Sequence, residues 1–345
     1  MSNKESILRG AEHQIKLTSI LEVLKDIRDR SDDAFKVISG SDKFKFSEID
    51  HLSTQLAVYI LNNFPNRRNP DGDLLIAVCM APSWKFIVTI LGIIKVGGGY
   101  VPLLPEFPEN RMKHILSDAS PAFVVHDGSS TALSKALEDH HSITQVNIDD
   151  LLASSSGSIG LSLPEVTSAT VAAVLYTSGS TGVPKGVRIS HKMILNRVFW
   201  QLKEFPYQQN ENCCLKISLT FVDSIIEIFA PLLSGHTLIV APSKIARSPE
   251  ELIKLFNMYR IHRITLVPSM LFMLIGLMKS TSLQLPWTKL WVCNSEKLSP
   301  QLLLDFFTVF PKDKIICNLY GGTETAADVT YEVSYISDIS GWFNN

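Results

Sequence analysis

No apolar stretch in this sequence is long enough to cross a bilayer. The longest uninterrupted one, Phe86 to Ile94, is bracketed by Lys85 and Lys95, far short of the roughly 20 residues a spanning helix needs. Met1 to Lys16 is polar and holds no apolar signal core. Cysteine is scarce: Cys79, Cys213, Cys214, Cys293 and Cys317 lie in or beside apolar stretches, none at metal-ligand spacing. Five thiols without a secretory signal read as reduced and buried, which points to a cytoplasmic protein. Neither sign of charge is in excess, with 32 Lys and Arg against 34 Asp and Glu. That balance leaves no footprint for nucleic acid, and nothing suggests a membrane partner. Internal repeats and heptad runs are absent too. No Gly-Lys-Ser/Thr opens a helix and no Gly-x-Ser-x-Gly is present around the richest loop, so neither a Walker A site nor a hydrolase elbow is there.

What is present is an ordinary globular composition, 46% hydrophobic and 19% charged over 345 residues, enough for one large domain or two lobes. Apolar strands alternate with amphipathic helices. Leu17 to Ile27 has helical spacing, Phe35 to Phe46 could hold a hairpin, and Ser47-Glu48-Ile49-Asp50 reads as a capping box. Strand Leu74 to Met80, helix Trp84 to Val96, a helix from Pro108 to Ala119 and strand Ala122 to His126 follow. Short connections between them argue for a parallel sheet covered by helices. Ser129 to Pro164 is polar and poorly patterned and reads as a linker or insertion between sub-lobes of about 1–130 and 165–345.

Beyond it, His191 to Glu204 reads as helix, Cys214 to Phe221 as strand, Ser224 to Leu233 as helix and Thr237 to Val240 as strand. Ser248-Pro249-Glu250-Glu251 is a strong helix start, combining an N-cap serine, a first-position proline and two glutamates at the positive dipole end. Strands Ile264 to Val267, Leu290 to Cys293 and Ile315 to Leu319 complete the pattern, with a helix begun by Ser299-Pro300 between the last two.

One stretch dominates the chemistry. Ala173 to Tyr176 is a buried strand, followed by Thr177-Ser178-Gly179-Ser180-Thr181-Gly182 and then Pro184-Lys185-Gly186. Glycines let a backbone approach a ligand closely, and successive N–H groups with hydroxyl donors make a concavity for anions. Lys185 adds a mobile positive charge. The combination suits a polyphosphate.

Tyr176 through Gly186 resembles the ATP-phosphate loop of the adenylate-forming superfamily, which includes acyl-CoA synthetases and the adenylation domains of peptide synthetases. Lys95-Val96-Gly97-Gly98-Gly99-Tyr100-Val101-Pro102 and Asn318-Leu319-Tyr320-Gly321-Gly322-Thr323-Glu324 resemble two further elements of it. The resemblance implies an α/β fold, the large N-terminal core of adenylate-forming enzymes, with mixed sheets and helices on both faces, spanning 1–345. It implies ATP and Mg²⁺. Lys185, Thr323 and Glu324 are then the catalytic group, with Glu324 on the metal. Thr177 to Gly182, Lys185, Ser295, Glu296, Asn318, Tyr320 and Thr323 hold the nucleotide, Tyr320 stacking on adenine. Asn294-Ser295-Glu296-Lys297 stands where the family has Gly-Gly-Glu-Ala, so Ser295 adds a side chain where the backbone meets the base.

The substrate positions implied are Val222, Asp223, Ile226, Ser269, Val292, Asn294, Leu319, Ala327 and Asp328. Relatives that activate α-amino acids carry Phe-Asp-x-Ser, whose aspartate binds the α-ammonium. Here Phe221-Val222-Asp223-Ser224 places the carboxylate one residue later, which suits an ammonium one methylene further from the carboxyl group. Asp328 offers a second anion for the same amine. Segments 76–80, 175–188, 194–197, 205–207, 219–225 and 291–293 look like the adenylation domains of insect β-alanyl amine synthases. β-Alanine is therefore the expected substrate, and a phosphopantetheine carrier domain the expected partner of a full-length enzyme. The family's lid lobe, with its catalytic lysine, is expected beyond residue 345. An acyl-CoA or aryl-CoA ligase and a non-catalytic nucleotide-binding protein are the alternatives.

Overall fold

A computed structural model describes residues 19–30, 34–65, 67–138, 141–154, 163–178, 182–310 and 313–339. Strands among them, in chain order, begin with β1 (Phe35–Ser39), β2 (Asp42–Lys45), β3 (Leu75–Cys79), β4 (Gly99–Leu103) and β5 (Phe123–His126). Next come β6 (Thr144–Asn147), β7 (Val171–Thr177), β8 (Lys185–Ser190), β9 (Asn212–Leu215) and β10 (Thr237–Val240). The last four are β11 (Arg263–Leu266), β12 (Leu290–Cys293), β13 (Ile315–Gly322) and β14 (Ala327–Ser334).

They build three sheets, ordered β2-β1-β10-β9, β6-β5-β3-β4-β7-β8 and β11-β12-β13-β14. Every residue of β3 and β4 is buried, as expected of strands covered on both faces. The sheets are mixed rather than purely parallel, because β1–β2, β7–β8 and β13–β14 pair antiparallel. The helix Trp84–Lys95 lies almost wholly inside the largest core cluster. Lys95 at its end is buried as well, donating from Nζ to Asp50 Oδ1 (2.6 Å), to the Asp50 carbonyl (2.8 Å) and to Thr54 Oγ1 (2.7 Å). Those contacts fasten it to the helix Phe46–Asn63.

Several expectations need correction. The stretch 129–164, read as a linker or an insertion, holds regular elements: a helix Thr131–Leu137, strand β6 and a helix Ile148–Ala153. Short elements with few apolar residues escape a periodicity reading. Here Leu133, Leu137, Val146, Ile148 and Leu151 are buried, and Ser130 and Asn147 cap the two helices. Residues 155–162 lie outside the described residues. Strand β1 pairs β10 and β4 pairs β7, so two sheets run across both parts of the 1–345 core.

The helix expected to be capped at Ser47 starts at Phe46, and Glu48 reaches back to accept from the Lys45 backbone N–H (2.7 Å). The strand read from Cys214 to Phe221 ends at Leu215, because the segment beyond it turns toward the site. Strands β8 and β14 and the helix Pro268–Ser280 were not foreseen.

Candidate active site

The phosphate-loop stretch is a β-hairpin. β7 ends at Thr177, β8 starts at Lys185, and the two residues sit opposite each other. Gly182 has φ +78° in open space, a left-handed turn conformation that favours glycine. Gly179, Ser180 and Thr181 fall outside the described residues. The hairpin base is tight: a Cβ on Gly186 would stand 3.0 Å from Tyr176 Cζ. Tyr176 is fixed in turn by donating from its hydroxyl to Asp118 Oδ2 (2.6 Å). His114 Nε2 lies 2.8 Å from the Pro184 carbonyl oxygen, so the loop's far limb is pinned to the helix Glu109–Ala119.

The second motif is a strained turn between β13 and β14. The ladder shifts register at Tyr320 and Gly321. A Cβ on Gly321 would lie 1.8 Å from the Ala327 carbonyl oxygen, so no side chain fits. Ala326 and Ala327 adopt φ +57° and +90°, unusual for residues with a Cβ and typical of functional turns. Thr323–Thr325 forms one 3₁₀ turn. Tyr320 is 73% exposed. Thr177 Oγ1 donates to Glu324 Oε1 at 3.4 Å, so the two motifs, 147 residues apart, meet in space.

Between them opens a cavity of about 530 Å³. It gathers Thr177, Ser178, Val222, Asp223, Asn294, Ser295, Thr323, Ala327 and Asp328 from the expected site. The chain reaches it from the carboxyl ends of β7, β12 and β13, the usual place for ligands in open α/β sheets. Lys185, Glu296, Asn318, Tyr320, Glu324 and Gly182 are not on its wall. Val292 and Leu319 pack with Leu290 and Cys317 against Trp200 and Phe205, and Ile226 belongs to the main core. Ser269 lies in the first turn of the helix Pro268–Ser280, and Glu296 accepts there from the Ser269 N–H and from its Oγ, both at 2.9 Å. Ser295 has φ +65°, a glycine-like backbone carrying a side chain.

Asp223 is the first residue of the helix Asp223–Leu232 and only 7% exposed. Asn294 Nδ2 donates to its Oδ1 at 2.5 Å. Burial, and then the charge of Asp328, push its carboxyl up to about 7, against the pull of Arg197 and Lys216. The other carboxylates nearby have cations of their own. Arg197, from the helix His191–Glu204, donates to Asp328 Oδ2 from Nε (3.0 Å) and Nη2 (2.5 Å). Lys216 Nζ bonds Glu227 Oε1 (3.1 Å), while the backbone N–H groups of Lys216 and Ile217 donate to Glu227 Oε2. Asp328, expected as a free second anion, is therefore already engaged.

Sequence reasoning missed Arg197, Phe107 and Arg111. The Arg111 guanidinium lies 4.1 Å over the Phe107 ring, both on the cavity wall. Arg197 left one signal, an arginine amid the apolar positions of a helix. Phe107 and Arg111 left none short of the tertiary structure. Among the described residues no group of three His, Cys, Asp or Glu side chains could hold a metal. Glu324 alone fits Mg²⁺ only when substrate phosphates supply further oxygens. Nor is any described helix long and apolar enough to cross a membrane.

A family profile described as "AMP-binding enzyme" matches residues 25–341. The chain is 40% identical over 270 residues to "Beta-alanyl-bioamine nonribosomal peptide synthetase ebony" of Drosophila melanogaster, covering 76% of this chain and 31% of that protein. It is 30% identical over 331 residues to tyrocidine synthase 3 of Brevibacillus parabrevis, 94% of this chain and 5% of that one. The chain thus spans less than a third of either relative. The NpsA N-terminal subdomain of Klebsiella oxytoca superposes with TM-score 0.79 at 20% identity, covering 92% of this chain and 76% of that one. An NpsA–ThdA adenylation–PCP fusion from the same organism gives 0.81 at 20% identity, over 93% and 61%. With a mixed α/β fold shared with adenylation-domain subdomains, two motifs converging on one cavity, and a profile match over most of its length, the chain belongs to the AMP-binding enzyme family.

Proposed function

We propose that this chain activates β-alanine as its acyl-adenylate. The observation that supports this most is the charge arrangement at the cavity. Of three buried carboxylates, Asp328 is held by Arg197 and Glu227 by Lys216, whereas among the described residues Asp223 is held by the Asn294 amide and by no cation. A buried carboxylate without a cation is costly. The ammonium of a substrate would supply the missing charge. The position of Asp223, one residue past the acidic place of α-amino-acid-activating relatives, favours a β-ammonium.

In this reading a substrate carboxylate oxygen attacks the α-phosphorus of ATP and the bond to pyrophosphate breaks, giving β-alanyl-AMP. The protein's part is positioning and charge stabilisation. The exposed Tyr320 ring would take the adenine beside Ser295, Glu296 and Asn318. The Thr177 to Gly182 loop, Lys185 and Thr323 would hold the phosphates. Glu324 would bind Mg²⁺, which when present neutralises phosphate charge. Val222, Asn294 and Ala327, which line the cavity, would shape the pocket around Asp223, while Ile226, Val292 and Leu319 lie in packed clusters off its wall and Ser269 is held by Glu296. A phosphopantetheine carrier domain is the natural acceptor, in keeping with relatives named as nonribosomal peptide synthetases.

ATP–pyrophosphate exchange with β-alanine, glycine, α-alanine and acetate tests this, alongside direct binding of a stable β-alanyl-adenylate mimic. Exchange or binding confined to β-alanine and its mimic is expected. Exchange with acetate in place of β-alanine would turn the reading toward an acyl-CoA ligase. Failure to bind the mimic would overturn it.

A further inference from the structure

Arg197 has no role in the phosphate-loop or Asn318–Glu324 motifs, yet the cavity's charge depends on it. Its side chain and that of Asp328 are each 6% exposed. Both contacts to Asp328 go to one oxygen, Oδ2. Nη1 donates to Gln201 Oε1 (3.1 Å), and the guanidinium lies 4.6 Å from the Trp200 ring centroid. Trp200 is braced edge-on by Phe205 and Tyr331. A guanidinium held by a carboxylate, an amide and an aromatic face has little left to offer a ligand. Its contact with the cavity runs through Asp328, which lines the wall together with Asp223, and its charge also favours the ionised form of Asp223.

We propose that Arg197 is a specificity-determining residue: by holding Asp328 it leaves Asp223 as the pocket's one available anion and confines the site to amino acids with a single ammonium group. This inference rests on the amino-acid-activating reading above. With Arg197 in place, a diamino acid brings one cation more than the buried groups can balance. Without it, two carboxylates face the cavity and a second ammonium becomes the favourable partner. Exclusion by unmatched charge is a general route to discrimination. Arg197 touches no reacting atom in this account, so it is a positioning residue, acting through Asp328.

The test is calorimetric binding of β-alanine and of 2,4-diaminobutyrate near neutral pH, with ATP present, to the 345-residue chain and three variants. The unaltered protein should prefer β-alanine. Arg197→Gln should move the ratio toward the diamino acid by about tenfold, the scale expected for a desolvated charge contact. Arg197→Lys, which keeps the cation, should stay near the original ratio. Asp328→Asn leaves Arg197 unbalanced and should move the ratio the other way, which keeps the test decisive if Arg197→Gln fails to fold. Opposite shifts support the proposal, since a merely structural role would weaken both ligands together. Variants that leave the ratio unmoved, or shift it in the same direction, overturn it. If the unaltered protein binds β-alanine while the ratio stays fixed, only this inference falls. If it binds no β-alanine, the activating role itself falls and takes this with it.

Discussion

Asp223 carries the functional argument, and it carries a cost. Its folded-state carboxyl titrates near 7, above the value of about 3.9 for an unstructured aspartate. Ionising it in the folded protein is therefore harder than in the unfolded chain. The unfolded state gives up the proton first as pH rises. Relative stability from this residue is complete below about pH 4, falls as pH climbs toward 7 and is flat above. Asp223→Asn removes that loss while keeping an acceptor for Asn294. The substitution should stabilise the ligand-free protein at pH 8 by about 2–4 kcal/mol and by little near pH 4, read from urea midpoints at the two pH values. The same titration governs binding, because an ammonium needs the ionised carboxylate. Affinity for β-alanine should rise up to about tenfold per pH unit approaching 7 and level off above it. A variant no more stable than the parent at pH 8 would show that Asp223 is not the strained group described here.

Among the elements, the β13–β14 turn is the most tightly constrained, and its motif was legible in the sequence but its backbone strain was not. Gly321 abuts the Ala327 carbonyl, and Ala326 and Ala327 sit in left-handed conformations. Gly321→Ala must push the backbone apart and should cost more than about 3 kcal/mol, seen as a lower denaturation midpoint. Nucleotide affinity should fall with it, since Tyr320 and Glu324 flank the turn. A neutral effect on both would contradict the geometry. Sequence reading placed Thr237–Val240 and Leu290–Cys293 to the residue, because strands in this fold's interior are unbroken apolar runs. It missed β14 and β8, whose residues are largely exposed at sheet edges, so no apolar run announced them. The helix Pro268–Ser280 is apolar on several faces, with Phe272 and Met273 exposed, and shows no clean helical period. The motif residues were legible because their types are tied to phosphate and base chemistry. The Arg197–Asp328 pair was not, since nothing local links residues 131 apart.

At the scale of the whole molecule, the sheets are interleaved along the chain. β1 and β2 come from the first fifty residues, and their partners β9 and β10 lie beyond residue 210. β7 and β8 complete the sheet begun by β3 through β6. The first described helix is tied in as well, since the Ile20 N–H donates to the buried His191 Nδ1 at 3.2 Å. Burial lowers that imidazole to about 4, so it is neutral near pH 7 and free to accept. A cut between 154 and 163 would therefore leave β4 and β1 as bare edges in one piece and β7 and β10 as bare edges in the other. Exposed apolar edges invite aggregation rather than independent folding. Fragments 1–164 and 165–345, produced separately, should each lack a cooperative thermal transition by circular dichroism, and mixing them during refolding should restore one. A fragment that melts cooperatively alone would mean that these cross-pairings contribute little. The cavity would then be a contact between two self-sufficient lobes. With interleaved sheets it is instead set by the same strand pairings that hold the fold together. In that case a destabilising change in either half should loosen the site at Asp223.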